Sequence, residues 1–143
     1  MYEIDQDLEI RLARAFAEAR MNRHEIITVE HLLIAILDDP SVVKVMLHHK
    51  VDVNTLRLEL TKCVNTTPIR EDTGDIEAVP TEGFKRVFQR PTMYVQRFVA
   101  KKRKVTGVHV LMYICRERSP AAEYLSSQGL TSLHVEGFIQ HNL

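Results

Sequence analysis

The chain predicts an all-α domain built from a duplicated four-helix repeat, about eight helices related by a pseudo-two-fold axis. Three observations carry this. The segment from Thr28 to Leu37 returns as Thr106 to Cys115, at an offset of 78 residues (106 − 28). Apolar residues recur at three- and four-residue steps along most of the chain. No stretch alternates apolar and polar residues for long enough to make a useful strand. Each copy is too short to bury an apolar face without its twin, so the 143 residues form one domain. Its parts are repeat 1 over about residues 1–64, a connecting loop over about 65–80 and repeat 2 over about 81–143.

The first helix is read from Leu8, Leu12, Ala15, Phe16 and Ala19 on one side, with Asp7, Glu9, Arg11, Arg14, Glu18 and Arg20 on the other. Thr28 caps the second helix, and Glu30 stands in its first turn, where the positive end of the helix dipole favours a carboxylate. Leu32, Leu33, Ala35, Ile36 and Leu37 make this helix nearly buried. Asp38-Asp39-Pro40-Ser41 ends it, with Ser41 as the cap of a third helix through Leu47, and Asp52 to Asn54 open a fourth. The second copy repeats the order: Phe84 to Phe98, Thr106 to Cys115, Ser119-Pro120 to Ser126, and Thr131 to Ile139. Ser119 lies 78 residues after Ser41 (119 − 41), so the register is expected to hold across these elements. Gly129 fits a left-handed C-cap, and Thr131 or Ser132 the next N-cap. Residues 65–80 are rich in turn formers, and Ile76, Val79 and Pro80 give this loop apolar contact groups.

Composition excludes more than it assigns. The 19 Lys+Arg offset the 19 Asp+Glu, so no global field recruits nucleic acid or an anionic membrane surface. No apolar run approaches the ~20 residues of a membrane span, and the acidic start Met1-Tyr2-Glu3-Ile4-Asp5 is unlike a signal peptide, so a cytoplasmic location is expected. Cys63 and Cys115 are too few for a disulfide framework or metal cage and are expected as buried free thiols. His31 and His109 occupy equivalent positions, which points to shared packing, such as a ring nitrogen bonded to a loop carbonyl. His48-His49, His24 with Asp38 or Asp39, and His134 with His141 lack structural-zinc spacing and imply adventitious metal contacts at most. Neither a catalytic residue, a metal site nor a cofactor is expected: nothing sets a nucleophile on a turn before an oxyanion hole, and there is no G-x-x-x-x-G-K-[ST] phosphate loop.

The run Arg23-His24-Glu25, then Thr28-Val29-Glu30-His31-Leu32-Leu33, resembles the Clp N-terminal domain, closest to the ClpA type. Pro80-Thr81 with Phe84, Arg86 and Val87, and the Val105-Thr106-Gly107 start of the second copy, extend the resemblance over essentially the whole chain. It implies a mobile appendage of a hexameric AAA+ unfoldase that feeds protein substrates to the ClpP peptidase. It also implies docking of the adaptor ClpS, which delivers N-degron proteins. The adaptor surface implied by the family falls on Glu25, Glu30, Thr81 and Arg86, with Val79 and Pro80 as its apolar part. The domain alone is expected to be a monomer, since the family's hexamer is made by its ATPase modules. An alternative reading is a disaggregase-type or standalone relative that binds unfolded polypeptide directly in an apolar groove between the repeats.

Two features depart from the type. Pro91 falls inside the Phe84 to Phe98 segment, where it removes a donor and crowds the carbonyl of Val87, so a kink or a break is expected there. Lys101-Lys102-Arg103-Lys104 makes the turn before the second copy unusually basic and is read as a solvated loop.

Overall fold

The computed structural model describes residues 3–71, 74, 76–98 and 104–142. Eight helices are found among them: α1 (Gln6–Met21), α2 (Val29–Ile36), α3 (Pro40–His48), α4 (Val53–Val64), α5 (Glu82–Phe98), α6 (Gly107–Arg116), α7 (Pro120–Ser127) and α8 (Ser132–Asn142). The all-α duplicated architecture is therefore as expected. The sequence does not announce four two-residue strands: β1 (Glu3–Ile4), β2 (Ile26–Ile27), β3 (Val79–Pro80) and β4 (Lys104–Val105). Two residues are too few to show an alternating pattern. β1 pairs in parallel with β4, and β2 with β3. Each ribbon thus joins a strand of repeat 1 to a strand of repeat 2, and each strand leads directly into a helix.

α2 and α6 sit at the centre. α2 packs on α1, α4, α5, α6 and α7, and α6 on α2, α3, α5, α7 and α8. Leu32, Leu33 and Ile36 of α2, and Val110, Leu111, Met112 and Ile114 of α6, are fully buried. Each such side chain contributes roughly 1.5–3 kcal/mol relative to exposure. The mostly apolar runs of these two helices follow from having neighbours on every side.

Three helices end in the same motif. The residue after the C-cap takes a left-handed conformation at Arg23 (φ 59°), Lys50 (φ 56°) and Gly129 (φ 86°). The next N–H then reaches back to the helix: His24 to the Ala19 carbonyl, Val51 to Met46 and Leu130 to Leu125, at 2.9, 2.9 and 3.0 Å. Gly129 is the cap its sequence position suggests.

The third helix begins differently from expectation. Its N-cap is Asp39, which accepts the Ser41 N–H at 2.9 Å, and Pro40 takes the first helical position. In the second copy the cap is Ser119, followed by Pro120. The structural offset is accordingly 78 residues for the second helix of each repeat and 80 for the third (119 − 39). It returns to 79 at the left-handed residues Lys50 and Gly129 (129 − 50). The constant register inferred from Ser41 and Ser119 is thus a coincidence of two serines. Pro91 does not break its helix, since α5 runs unbroken from Glu82 to Phe98. Of the basic run, Lys104 alone lies within the described residues.

Candidate functional site

The left-handed turn at Arg23 delivers the chain into a short extended segment that is bonded on both edges. On one edge Arg70 N–H donates to the Arg23 carbonyl at 2.7 Å, and Glu25 N–H to the Pro68 carbonyl at 2.9 Å. On the other, Val79 N–H donates to the Glu25 carbonyl at 3.0 Å, and Thr81 N–H to the Ile27 carbonyl at 3.1 Å. The two ends of the connecting loop therefore clasp residues 23–27 from opposite sides, and the Arg20 to Glu77 ion pair at 3.1 Å tethers its middle. Large apolar side chains stay in solvent here: Ile69, Ile76 and Val79 are each at least half exposed. The loop thus presents contact groups, as its composition suggests.

Four of the six expected docking residues come together on this ladder. Glu25 is exposed and backbone-bonded to Val79; Pro80 is in register with Ile27; Thr81 follows. Thr81 also caps α5, its hydroxyl accepting the Phe84 N–H at 3.2 Å. Arg86 lies a turn further along α5 with its side chain half exposed. It is an ion-paired group: Arg86 Nε donates to Glu117 Oε1 at 3.1 Å, and a second guanidinium nitrogen to the same oxygen. The Glu117 hydrogen bond and charge push the Arg86 pKa further up. Glu117, at the end of α6 with its side chain 8% exposed, is a residue the sequence reading missed. Its signal is positional, because it lies 78 residues after Asp39 (117 − 39), which meets Arg11 in the first repeat.

Glu30 is a correction. Its side chain is buried, and its Oε2 accepts the N–H of Ala121 in the first turn of α7 at 3.0 Å. The carboxylate is turned to the positive end of another helix, inside the domain, rather than toward a partner.

Behind the ladder lies a buried histidine pair. Thr28 N–H donates to His31 Nδ1 at 3.0 Å, which leaves the His31 proton on Nε2. His31 Nε2 faces His24 Nδ1 at 2.9 Å, so His31 donates and His24 accepts. Burial first, and the neighbouring His24 second, push the His31 pKa down to about 4. Burial also lowers His24. The same threonine–histidine cap recurs at Thr106 with His109 at 3.0 Å and at Thr131 with His134 at 3.2 Å. The structural reading of His31 and His109 holds, but the ring partner is the helix's own N-cap amide, not a loop carbonyl. Among the described residues no group of three or more His, Cys, Asp or Glu side chains is arranged to hold a metal. Cys63 and Cys115 are free and half-buried rather than fully buried, and burial pushes the Cys115 thiol up to about 12. A thiol so raised is a poor nucleophile. No described helix is long and apolar enough to cross a membrane.

Comparison with known proteins agrees with this geometry. A ClpA homolog protein from Fuscovulum blasticum is 39% identical over 140 residues, which covers 95% of this chain and 17% of that protein. The chain thus spans about a sixth of that relative's length. The N-terminal domain of Hsp104 from Candida albicans superposes with a TM-score of 0.78 at 12% identity, covering 94% of this chain and 87% of that one. A ClpV N-domain solved in complex with a VipB peptide gives 0.74 at 13% identity, covering 97% and 86%. These two likenesses concern the fold. The family described as the Clp repeat (R) N-terminal domain matches residues 3–128, and with that match, the 39% identity and the duplicated helical core, the chain belongs to the Clp N-terminal domain family.

Proposed function

We propose that this chain is the docking domain of a ClpA-type AAA+ unfoldase and that it receives a ClpS-type adaptor on the β2–β3 ladder, for delivery of N-degron substrates to ClpP. The observation that carries the reading is the grouping of Glu25, Val79, Pro80 and Thr81 on one hydrogen-bonded edge, with Arg86 a turn away. This edge offers an exposed carboxylate, an apolar centre and a guanidinium held in fixed orientation by Glu117, a mixture suited to a partner that reads both charge and shape. The 39% identity to a ClpA homolog supports the subtype. The domain's part in proteolysis is docking rather than catalysis, and the isolated domain acts as a monomer.

Calorimetric titration with purified ClpS tests this. Unmodified domain is expected to bind, while Glu25→Lys and Val79→Asp each weaken binding about tenfold or more with circular dichroism unchanged. Absence of binding by the unmodified domain, together with direct capture of an unfolded polypeptide, would transfer the assignment to a disaggregase-type N-domain.

A further inference from the structure

The duplication leaves a second junction equivalent to the docking ladder, where β1 meets β4, and its chemistry is different. A pocket of about 360 Å³ opens there, lined by Asp5, Asp7, Asp39, Pro40, Lys44 and Phe138. Three helix starts converge on it: Asp5 caps α1, Asp39 caps α3 and Thr106 caps α6. Where the first junction holds one Arg86 to Glu117 pair, this one gathers carboxylates around a single internal guanidinium. Arg11 meets Asp38, lies 3.6 Å from Asp7 and 3.8 Å from Asp39, and is itself largely buried. With Asp5 included, four carboxylates face two cations, Arg11 and Lys44.

A second, independent observation concerns Asp39. It is 3% exposed. Its Oδ1 accepts from Ser41 N–H and from the Ser41 hydroxyl at 2.9 and 2.6 Å, whereas its buried Oδ2 accepts no hydrogen bond. Nε of Arg11, across from it at 3.8 Å, is likewise without a hydrogen-bond partner. A buried carboxylate oxygen left in this state holds unused acceptor capacity in the pocket wall.

The geometry points to a binding site for a basic side chain, arginine foremost, of a polypeptide ligand. Asp5, Asp7 and Asp39 would surround its charged head, and Pro40 with Phe138 would flank its aliphatic stem. Arg11 already shows that a guanidinium suits this set of carboxylates, and the planar fork of arginine can meet two of them where a lysine ammonium acts as a point charge. The site is separate from the β2–β3 ladder, so it stands or falls independently of adaptor docking.

Amide-resolved NMR titration of the 143-residue chain tests it, with acetyl-Gly-Arg-Gly-amide, acetyl-Gly-Lys-Gly-amide and acetyl-Gly-Glu-Gly-amide as probes. The arginine peptide is expected to shift the amides of Asp7, Ser41 and Lys44, the lysine peptide to do so more weakly and the glutamate peptide not at all. Asp39→Asn keeps a good N-cap residue while removing the charge, and Asp7→Asn alters a half-exposed position that caps nothing; each is expected to weaken arginine binding about threefold or more. Lys44→Glu, at an exposed position on the rim, is expected to strengthen it by about the same factor. Shifts confined to other surfaces, equal shifts with the glutamate peptide, or arginine binding indifferent to both Asp7→Asn and Lys44→Glu would overturn the assignment.

Discussion

The Glu30 carboxylate, rooted in the first turn of α2, accepts the backbone N–H of Ala121 at 3.0 Å across the junction of the two repeats. Its pseudo-symmetric mate is the bond from Val108 N–H to the Ser41 hydroxyl at 3.2 Å. Val108 lies 78 residues after Glu30 and Ala121 lies 80 after Ser41, the offsets of the second and third helices. The same two positions are therefore bonded in both halves, with the side chain that accepts moved from the second helix to the third. A duplicated junction has kept its hydrogen bond while exchanging which half supplies the acceptor.

Glu30→Ala is expected to destabilise the domain by about 2 kcal/mol, because it strands a buried N–H that now bonds to a charged acceptor. Glu30→Gln, which keeps an acceptor at the same reach, should lose less than half as much. Urea unfolding followed by circular dichroism reads both. An unchanged midpoint for Glu30→Ala would show that Ala121 finds another partner and that the carboxylate is available to a ligand after all.

The left-handed caps make an opposed pair of predictions. Lys50 holds φ 56° where a side chain is strained, and Gly129 holds φ 86° at the equivalent place with open space around its Cα. Lys50→Gly should raise stability by about 0.5–1 kcal/mol and Gly129→Ala lower it by about 1 kcal/mol. Since no atom lies within 4 Å of a Cβ built at Gly129, any loss there reports backbone strain rather than a clash.

Gly107 is required for a different reason. A Cβ at this first position of α6 would stand 2.7 Å from Asp39 Cγ and Oδ2, nearer than real contacts allow. Asp39 cannot retreat freely, because it caps α3 and is bonded to Ser41. Gly107→Ala is therefore expected to cost about 1–3 kcal/mol and to loosen the junction of the repeats, seen as a lower urea midpoint and faster amide exchange at Ser41. Wild-type stability would mean that α6 and α3 can move apart without penalty.

These particulars show how far the sequence could be read. The eight helices were legible because apolar spacing and threonine or aspartate caps are local signals, and the duplication was legible because α2 and α6 both need buried faces. The strands were not, since a two-residue pairing exists only once the other repeat arrives. Asp39 was overlooked as a cap because Ser41 offered an equally good cap residue at a misleadingly exact offset from Ser119. Glu30 shows the limit most clearly. A first-turn carboxylate is attracted by its own helix dipole, and only the tertiary structure reveals that it spans to α7 instead. Glu117, which fixes Arg86, was silent because an ion pair 31 residues apart leaves no local pattern.

The last prediction concerns acid. His31 carries a pKa near 4, lowered from 6.5 by burial and by His24. A base whose pKa is depressed by folding binds its proton more readily when unfolded, so stability is full above the unfolded value and declines as pH falls. Between about pH 6.5 and 4 the unfolded chain takes up a proton that the native His31 refuses, a loss of roughly 3 kcal/mol. The structural reason is specific: His31 Nδ1 is occupied by the Thr28 N–H, and protonating it opposes one donor to another at the start of α2. His31→Gln, which can serve a capping box from the same position without titrating, should flatten this part of the profile. Urea unfolding of both proteins at several pH values, compared as a difference, isolates the term from the carboxylates they share. A wild-type minus variant difference that stays constant from pH 7 to pH 4 would refute it.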